Sequence, residues 1–170
     1  MTVRKTNLAA GSELHRFVRA GDFLDCYATD IERTGLPIGD IAQRIFTGLP
    51  GWIRALLATR DLGVKAFGLK STAQLPTDND RRSPVQVGEP INFFCVRSIT
   101  ENEIILGEDD AHLDFKISVF RESEDSKQIS LATWVHTHNP LGRVYLRGIY
   151  RFHVMIVKSR LRALSRELAG

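Results

Sequence analysis

Two polar side chains, His153 and Arg160, fall on the apolar half of the last helical pattern in the chain. They are two helical turns apart, so their side chains are expected in line about 10 Å from each other. Arg160 offers a planar fork that can hold a carboxylate, and His153 can donate to a ligand or exchange a proton near neutral pH. The alternative is structural: His153 bonds a backbone carbonyl and Arg160 pairs with a carboxylate of the sheet, because burying either group unpaired is costly.

A second pair of candidates, His136 and His138, ends a segment with strand periodicity. Side chains two apart on a strand project to the same side, so the two imidazoles could share a metal ion. A third ligand would have to come from another segment, and the nearest candidates in sequence are Asp109, Asp110 and His112. We favour ordinary polar residues at the end of a strand, and no metal site is predicted.

Other chemistry-bearing patterns are absent from the sequence. There is no glycine-rich phosphate loop, nucleophile elbow or Cys-x-x-C pair, so no cofactor is predicted. Cys26 and Cys95 lie far apart in apolar runs and are predicted to be free core thiols in a reducing, cytoplasmic compartment. The acidic run Glu108–Asp110 could supply paired acids for acid–base catalysis, but we interpret it as a solvated turn.

Size and composition predict one globular domain. The chain has 170 residues, of which 43% are apolar and 25% charged, as in ordinary folded domains. No apolar run reaches the roughly 20 residues of a membrane-spanning helix, and the first ten residues lack the apolar stretch of a secretory signal. We therefore predict a single domain over residues 1–170, with residues 1–20 as an arm on its surface and residues 70–90 as a long polar loop.

The first half of the chain predicts one strand and two short helices. Phe23–Ile31 alternates between two faces, which indicates a strand with one buried side. Pro37 suits the first turn of a helix, and the apolar residues after it have helical spacing. A second break at Gly48–Gly51 precedes another helical pattern, so two short helices are favoured over one long helix.

The second half predicts an antiparallel meander followed by one long helix. Short connections join four segments with strand character, at residues 92–100, 103–107, 112–121 and 128–138. Asn139 and Pro140 are a good N-cap and first helical residue, and the helix is predicted to run over Leu141–Leu168. A curved antiparallel sheet around this helix would bury both apolar faces, which makes the predicted class α+β.

The positive charge of the protein is concentrated on this last helix. The net charge is only +3, but the half of the helix opposite its apolar side carries a row of cations: Arg143, Arg147, Arg151, Lys158, Arg162 and Arg166. The aromatic residues lie on the other, buried half and could not stack on bases. We interpret the basic face as solvated, and nucleic acid is not a predicted partner.

The order of elements and several short motifs resemble a known bacterial family. The motifs are Leu49–Trp52, Gly107–Leu113, Leu141–Tyr145 and the pair Phe152–His153. They resemble the DUF2867 family, a domain of unknown function that looks like a member of the START-like (SRPBCC, helix-grip) superfamily. The resemblance spans about residues 20–168. It implies a cavity for apolar or amphipathic small molecules under the long helix, although a minority of such proteins are enzymes.

These inferences lead to one preferred function and two alternatives. The preferred function is binding of a small apolar or amphipathic molecule between sheet and helix. The residues predicted to contact it are His153, Arg160, Ile149, Phe152, Ile156, Phe115 and Ile117. One alternative is an acid–base enzyme, of cyclase, dehydratase or hydrolase type, that uses His153 in the same cavity. The other is an interaction module that presents the basic helix face to an anionic membrane or an acidic protein.

Overall fold

The computed structural model describes residues 2–48, 51, 84–92, 94–109 and 113–169. These residues form an α+β fold with one antiparallel sheet and a long C-terminal helix. The elements in chain order are β1 (Arg4–Lys5), β2 (Phe23–Asp30), α1 (Ile38–Phe46), β3 (Pro90–Ile91), β4 (Phe94–Ile99), β5 (Glu103–Asp109), β6 (Leu113–Phe120), β7 (Gln128–Thr137) and α2 (Pro140–Glu167).

The sheet joins the first long strand of the chain to the last one. Its strand order is β1-β2-β7-β6-β5-β4-β3, and all neighbouring strands are antiparallel. β2 pairs with β7 over its whole length, from Phe23 opposite Val135 to Asp30 opposite Gln128. The predictions of an antiparallel sheet and a long C-terminal helix are confirmed, and the arrangement is consistent with a helix-grip fold.

The helices and loops of the first half follow the prediction only in part. Helix α1 forms where its spacing predicted, but it follows the second strand rather than the first, because Arg4–Lys5 already pairs with β2. The second predicted helix, after Gly51, lies outside the described residues. Of the predicted polar loop, the structure describes residues 84–90, and Pro90 already belongs to β3.

The N-terminal residues pack on the face of the sheet that α2 does not cover. A 3-10 helix at Glu13–Arg16 buries Leu14 completely against Cys26, Ala132 and Trp134. Its N-cap, Ser12, accepts a hydrogen bond from the backbone N–H of Leu14. The segment predicted as a surface arm therefore supplies part of a small second core.

The main core lies between the sheet and the two helices. Its members from the helices include Ile41, Ile45, Leu161 and Leu164, and they pack against sheet residues such as Leu131. Fully burying each such side chain contributes about 1.5–3 kcal/mol. The end of α2 is fixed to the chain after β2, since the carbonyl of Leu168 accepts from the backbone N–H groups of Glu32 and Arg33, both at 3.0 Å.

The buried stripe of α2 is narrower than its apolar half. Val157, Arg160 and Leu161 are buried, whereas Phe152, which was predicted to face inward, is 47% exposed. An apolar half-wheel covers more of the helix surface than one sheet can contact, so its margin stays outside. Within the described residues, no helix combines the length and apolar character needed to cross a membrane.

Candidate functional site

A pocket of about 660 Å³ lies between the N-terminal half of α2 and the adjoining ends of β2 and β7. Its lining comes from three segments: the turn into β2, the end of β7 and the first turns of α2. The lining residues are Ala20, Gly21, Asp22, Phe23, Val135, His136, Thr137, Arg143, Leu146, Arg147 and Tyr150.

Local sequence explains why α2 begins at this pocket. The side chain of Asn139 accepts a hydrogen bond from the backbone N–H of Gly142 at 2.9 Å, and Pro140 takes the first helical position, where no N–H is needed. Only two residues, His138 and Asn139, thus separate the end of β7 from the helix. Arg143, Leu146 and Tyr150 then recur at helical spacing on the side that faces the pocket.

One wall of the pocket is apolar and aromatic. Phe23 and Tyr150 meet edge to face, with ring centroids 5.8 Å apart. Val135 and Leu146 extend this surface from β7 and α2. The wall gives an apolar group a place to be buried, and the tyrosine adds a polar edge.

The carboxylate in the lining, Asp22, is already committed to protein donors. It accepts from Trp134 Nε1 at 2.8 Å, from His136 Nδ1 at 2.6 Å and from the backbone N–H of Arg19 at 2.9 Å. Burial alone would raise the pKa of Asp22, but these hydrogen bonds, chiefly that from His136, lower it below its ordinary value. Asp22 therefore stays ionised and positions His136 at the pocket edge.

Two arginines of α2 border the pocket with exposed guanidinium groups. Arg143 and Arg147 were predicted to belong to the solvated basic face, and both are exposed, yet both line the pocket. In the part of the chain that the structure describes, neither forms an ion pair with a carboxylate. Helical periodicity could not show that this edge of the helix turns toward the end of the sheet.

Behind the aromatic wall lies a buried pair of ionisable groups, Asp25 and His153. Phe23 connects this pair to the pocket, because its ring contacts Tyr150 and also meets the ring of His153 edge to face, with centroids 5.9 Å apart. Asp25 has a side chain only 1% exposed, with Oδ1 3.0 Å from Lys5 Nζ and Oδ2 4.0 Å from His153 Nε2. Neither Oδ2 nor Nε2 has a hydrogen-bond partner in the described part of the protein.

Burial governs the protonation of the groups around Asp25. It lowers the pKa of His153, an effect that the nearby Asp25 carboxylate partly opposes. Burial, reinforced by the same carboxylate, raises the pKa of Tyr27 to about 12. At neutral pH the imidazole of His153 and the phenol of Tyr27 are thus both neutral.

Arg160, predicted to contact a ligand, is bonded to helix α1. Its Nε donates to the carbonyl of Ile45 at 2.6 Å, and its Nη2 donates to the carbonyls of Arg44 and Thr47, both at 2.8 Å. These carbonyls are among the last of α1, which have no partner within their own helix. Arg160 therefore closes the C-terminal end of α1, and its Nε and Nη2 donors are already used by protein carbonyls.

Four of the other predicted contact residues are buried or half-buried at positions outside the pocket lining. Ile149 and Ile156 are half-buried on α2, and Ile117 is buried in the main core. Phe115 is half-buried and meets Phe94 edge to face, with centroids 5.9 Å apart. None of the seven residues predicted from the sequence lines the pocket at the start of α2, but the ring of His153 contacts that of Phe23, which does line it.

His136 of β7 and His138, which follows the strand, each contact a carboxylate. His136 binds Asp22, and His138 Nε2 lies 3.1 Å from Asp114. Of the proposed third ligands, Asp109 pairs with Lys116, and residues 110 and 112 lie outside the described residues. Among the described side chains, no three His, Cys, Asp or Glu residues converge in a way that could hold a metal ion.

Comparison with known proteins identifies one family. The sequence profile of a family described as "Protein of unknown function (DUF2867)" matches residues 17–160. This span includes the whole pocket lining and both members of the Asp25–His153 pair. No curated protein and no solved structure matches the chain.

Proposed function

The chain belongs to the DUF2867 family of proteins of unknown function, and we propose that it binds a small amphipathic molecule in the pocket between α2 and the sheet. The observation that carries this proposal is the pocket itself. Its volume of about 660 Å³ lies within the range of small-molecule sites. An aromatic wall of Phe23 and Tyr150 faces a rim that includes Arg143 and His136, which suits a ligand with one apolar and one polar part.

The topology supports a START-like, helix-grip architecture for this site. The first long strand, β2, pairs with the last strand, β7. The long helix that follows β7 packs back on the face of the sheet that carries the main core. The pocket opens where β2, β7 and α2 meet. A ligand bound there would contact Phe23, whose ring also contacts that of His153.

The binding proposal is tested by filling the pocket. Leu146 lines it, so Leu146→Trp would place an indole in the ligand's space, whereas Val144 on the same helix is 67% exposed and does not line it. We expect Leu146→Trp to weaken binding of the fluorescent amphiphile N-phenyl-1-naphthylamine at least about tenfold, with Val144→Trp close to wild type. Unchanged binding by a folded Leu146→Trp variant would contradict the proposal.

A second candidate, acid–base catalysis, is favoured by the Asp25–His153 pair. The 4.0 Å between Oδ2 and Nε2 is too long for a hydrogen bond but short enough for one water or ligand hydroxyl to contact both atoms. In such a site His153 would exchange the proton, and Asp25 would orient the imidazole or the bridging group.

Mass spectrometry of co-purified small molecules distinguishes the two candidates. If the protein only binds, wild type and His153→Gln should retain the same molecule. If it also transforms its ligand, the His153→Gln variant should accumulate a molecule of different mass from the one recovered with wild type. Identical molecules in both preparations would exclude the catalytic candidate.

A further inference from the structure

We propose that the ligand of this pocket carries an oxyanion, a carboxylate or a phosphate, and that Arg143 and Arg147 hold it. The inference rests on the proposed binding function and specifies the ligand class. It follows from the position of the two arginines, from the charges around them and from the apolar wall beside them.

The two guanidinium groups can reach one anion from the same side. Arg143 and Arg147 are four residues apart on α2 and both line the pocket. Residues at this spacing are neighbours on a helix face, with a rise of about 6 Å between them. Each guanidinium can donate two parallel hydrogen bonds to a carboxylate or phosphate, so the pair can hold one oxyanion together.

Neither cation forms an ion pair with a carboxylate of the described residues. Asp22, in the same lining, is engaged by His136, Trp134 and the Arg19 N–H. The first turn of α2 contains no acidic residue. Arg143 instead lies in that turn, near the positive end of the helix dipole, where a cation is unfavourable. Arg143 therefore does not stabilise the start of the helix, and a bound anion would offset its unfavourable interaction with the helix dipole.

The apolar wall indicates that the anion belongs to a larger molecule. Phe23, Val135 and Leu146 line the same pocket as the two arginines. A free inorganic ion would leave this surface in contact with water, whereas an amphipathic anion would cover it with its apolar body. The two arginines and the apolar wall together favour an amphipathic anion over a purely apolar molecule.

A matched pair of fluorescent probes tests this inference. The probe 8-anilinonaphthalene-1-sulfonate is N-phenyl-1-naphthylamine with an added sulfonate, which stands in for the oxyanion. We expect wild type to bind the sulfonate at least about tenfold more tightly than the neutral probe. The preference should shrink when salt is raised from about 0.05 M to about 0.5 M, because screening weakens partly exposed ion pairs.

Two double variants that remove the same charge show which arginines cause the preference for the sulfonate probe. Arg143→Gln/Arg147→Gln should bring the two affinities to within about twofold by weakening only the sulfonate. Arg162→Gln/Arg166→Gln removes the same charge at the same spacing from exposed positions outside the pocket and should leave both affinities unchanged. Displacement of the sulfonate probe by octanoate or by octyl phosphate, but not by 1-octanol, then shows which oxyanion is preferred.

The outcomes separate this inference from the binding proposal. If both probes bind equally well and the Arg143/Arg147 variant changes neither, the pocket binds amphiphiles without selecting an anion, and the inference fails alone. If neither probe binds, the proposed binding function fails with it. If Arg162→Gln/Arg166→Gln has the larger effect, the anion binds elsewhere on α2 and the assignment to this pocket is wrong.

Discussion

Among the described residues, most buried polar side chains have hydrogen-bond partners, and Asp25 and His153 are among the exceptions. Glu103, for example, is 3% exposed and accepts from Ser12 Oγ, Ser118 Oγ and the backbone N–H of Glu13. Such satisfaction is the rule, because an unpaired buried polar group loses its hydrogen bonds to water. Asp25 Oδ2 and His153 Nε2 lack it among the described residues, which is why this pair, rather than Glu103, is a candidate for chemistry.

The protonation of His153 predicts a pH dependence of stability. Burial places the pKa of the folded-state imidazole below its ordinary value of 6.5. Between these two pKa values the unfolded chain therefore binds more protons than the folded chain, and the free energy of unfolding falls as pH falls. The contribution of neutral His153 is fully present above pH 6.5 and is lost as pH approaches the lower, folded-state pKa.

Urea unfolding from about pH 8 to about pH 5 measures this effect. The stability of wild type relative to His153→Gln should decrease toward acid pH. His15→Gln provides the control, since His15 is exposed and bonds only the carbonyl of Ala9 among the described contacts. A stability difference between wild type and His153→Gln that grows toward acid pH would show that Asp25 dominates and raises the pKa instead.

At the scale of elements, one side chain couples the two described helices. Arg160 projects from α2 into the C-terminal end of α1 and bonds the carbonyls of Arg44, Ile45 and Thr47. Arg44 in turn pairs with Glu167 near the end of α2. Helix α1 is only nine residues long, too short to be stable alone, so its folding depends on such contacts and on its buried isoleucines.

Replacing Arg160 should therefore destabilise the junction of the helices. We expect Arg160→Met to lower the free energy of unfolding by about 3 kcal/mol, because buried carbonyls of α1 lose a charged donor. Arg160→Lys should recover only part of this loss, since an ammonium group cannot reproduce the planar fork. Chemical denaturation measures both variants, and Arg162→Met, at an exposed position of the same helix, is the control.

The same variants separate a structural Arg160 from a ligand-binding one. Affinity for 8-anilinonaphthalene-1-sulfonate, expressed per folded molecule, should be unchanged in Arg160→Met. A specific loss of that affinity without loss of stability would reverse the assignment and return Arg160 to the binding site.

For the whole molecule, the pairing of the strands determines which segments lose their backbone hydrogen bonds last. β7 is paired along both sides, with β2 over eight residue pairs and with β6 over eight more. The strands at the two edges, β1 and β3, are two residues long and are paired on one side. Backbone protection follows from this arrangement, since an amide opens easily where few pairings must break.

Hydrogen exchange should report this gradient directly. Amides of β7 and of its neighbours β2 and β6 are expected to exchange slowest, at rates close to those of global unfolding, and amides of β1 and β3 fastest. Mass spectrometry of peptides from partly exchanged protein resolves these strands. Protection of β1 equal to that of β7 would mean that the N-terminal residues fold as one cooperative unit with the centre of the sheet.

The sequence by itself determined the kinds of elements and much of their order. Alternation in residues 112–121 and 128–138 predicted the strands that form as β6 and β7, short connections predicted antiparallel neighbours, and Asn139–Pro140 predicted the start of α2. These features depend on local periodicity and on capping, both of which act within a few residues. The resemblance to the DUF2867 family likewise rested on short local motifs, and the family profile that matches residues 17–160 confirms it.

Only the tertiary structure decided which side chains meet. Periodicity placed Arg160 on the inner side of α2 but could not show that the end of α1 lies opposite it. It also could not show that Asp25, 128 positions away in the chain, faces His153, or that Arg143 and Arg147 border a pocket rather than open solvent. A helical wheel gives the direction of a side chain relative to its own axis, whereas a binding site depends on where that axis crosses the sheet, and this is set by packing between residues distant in sequence.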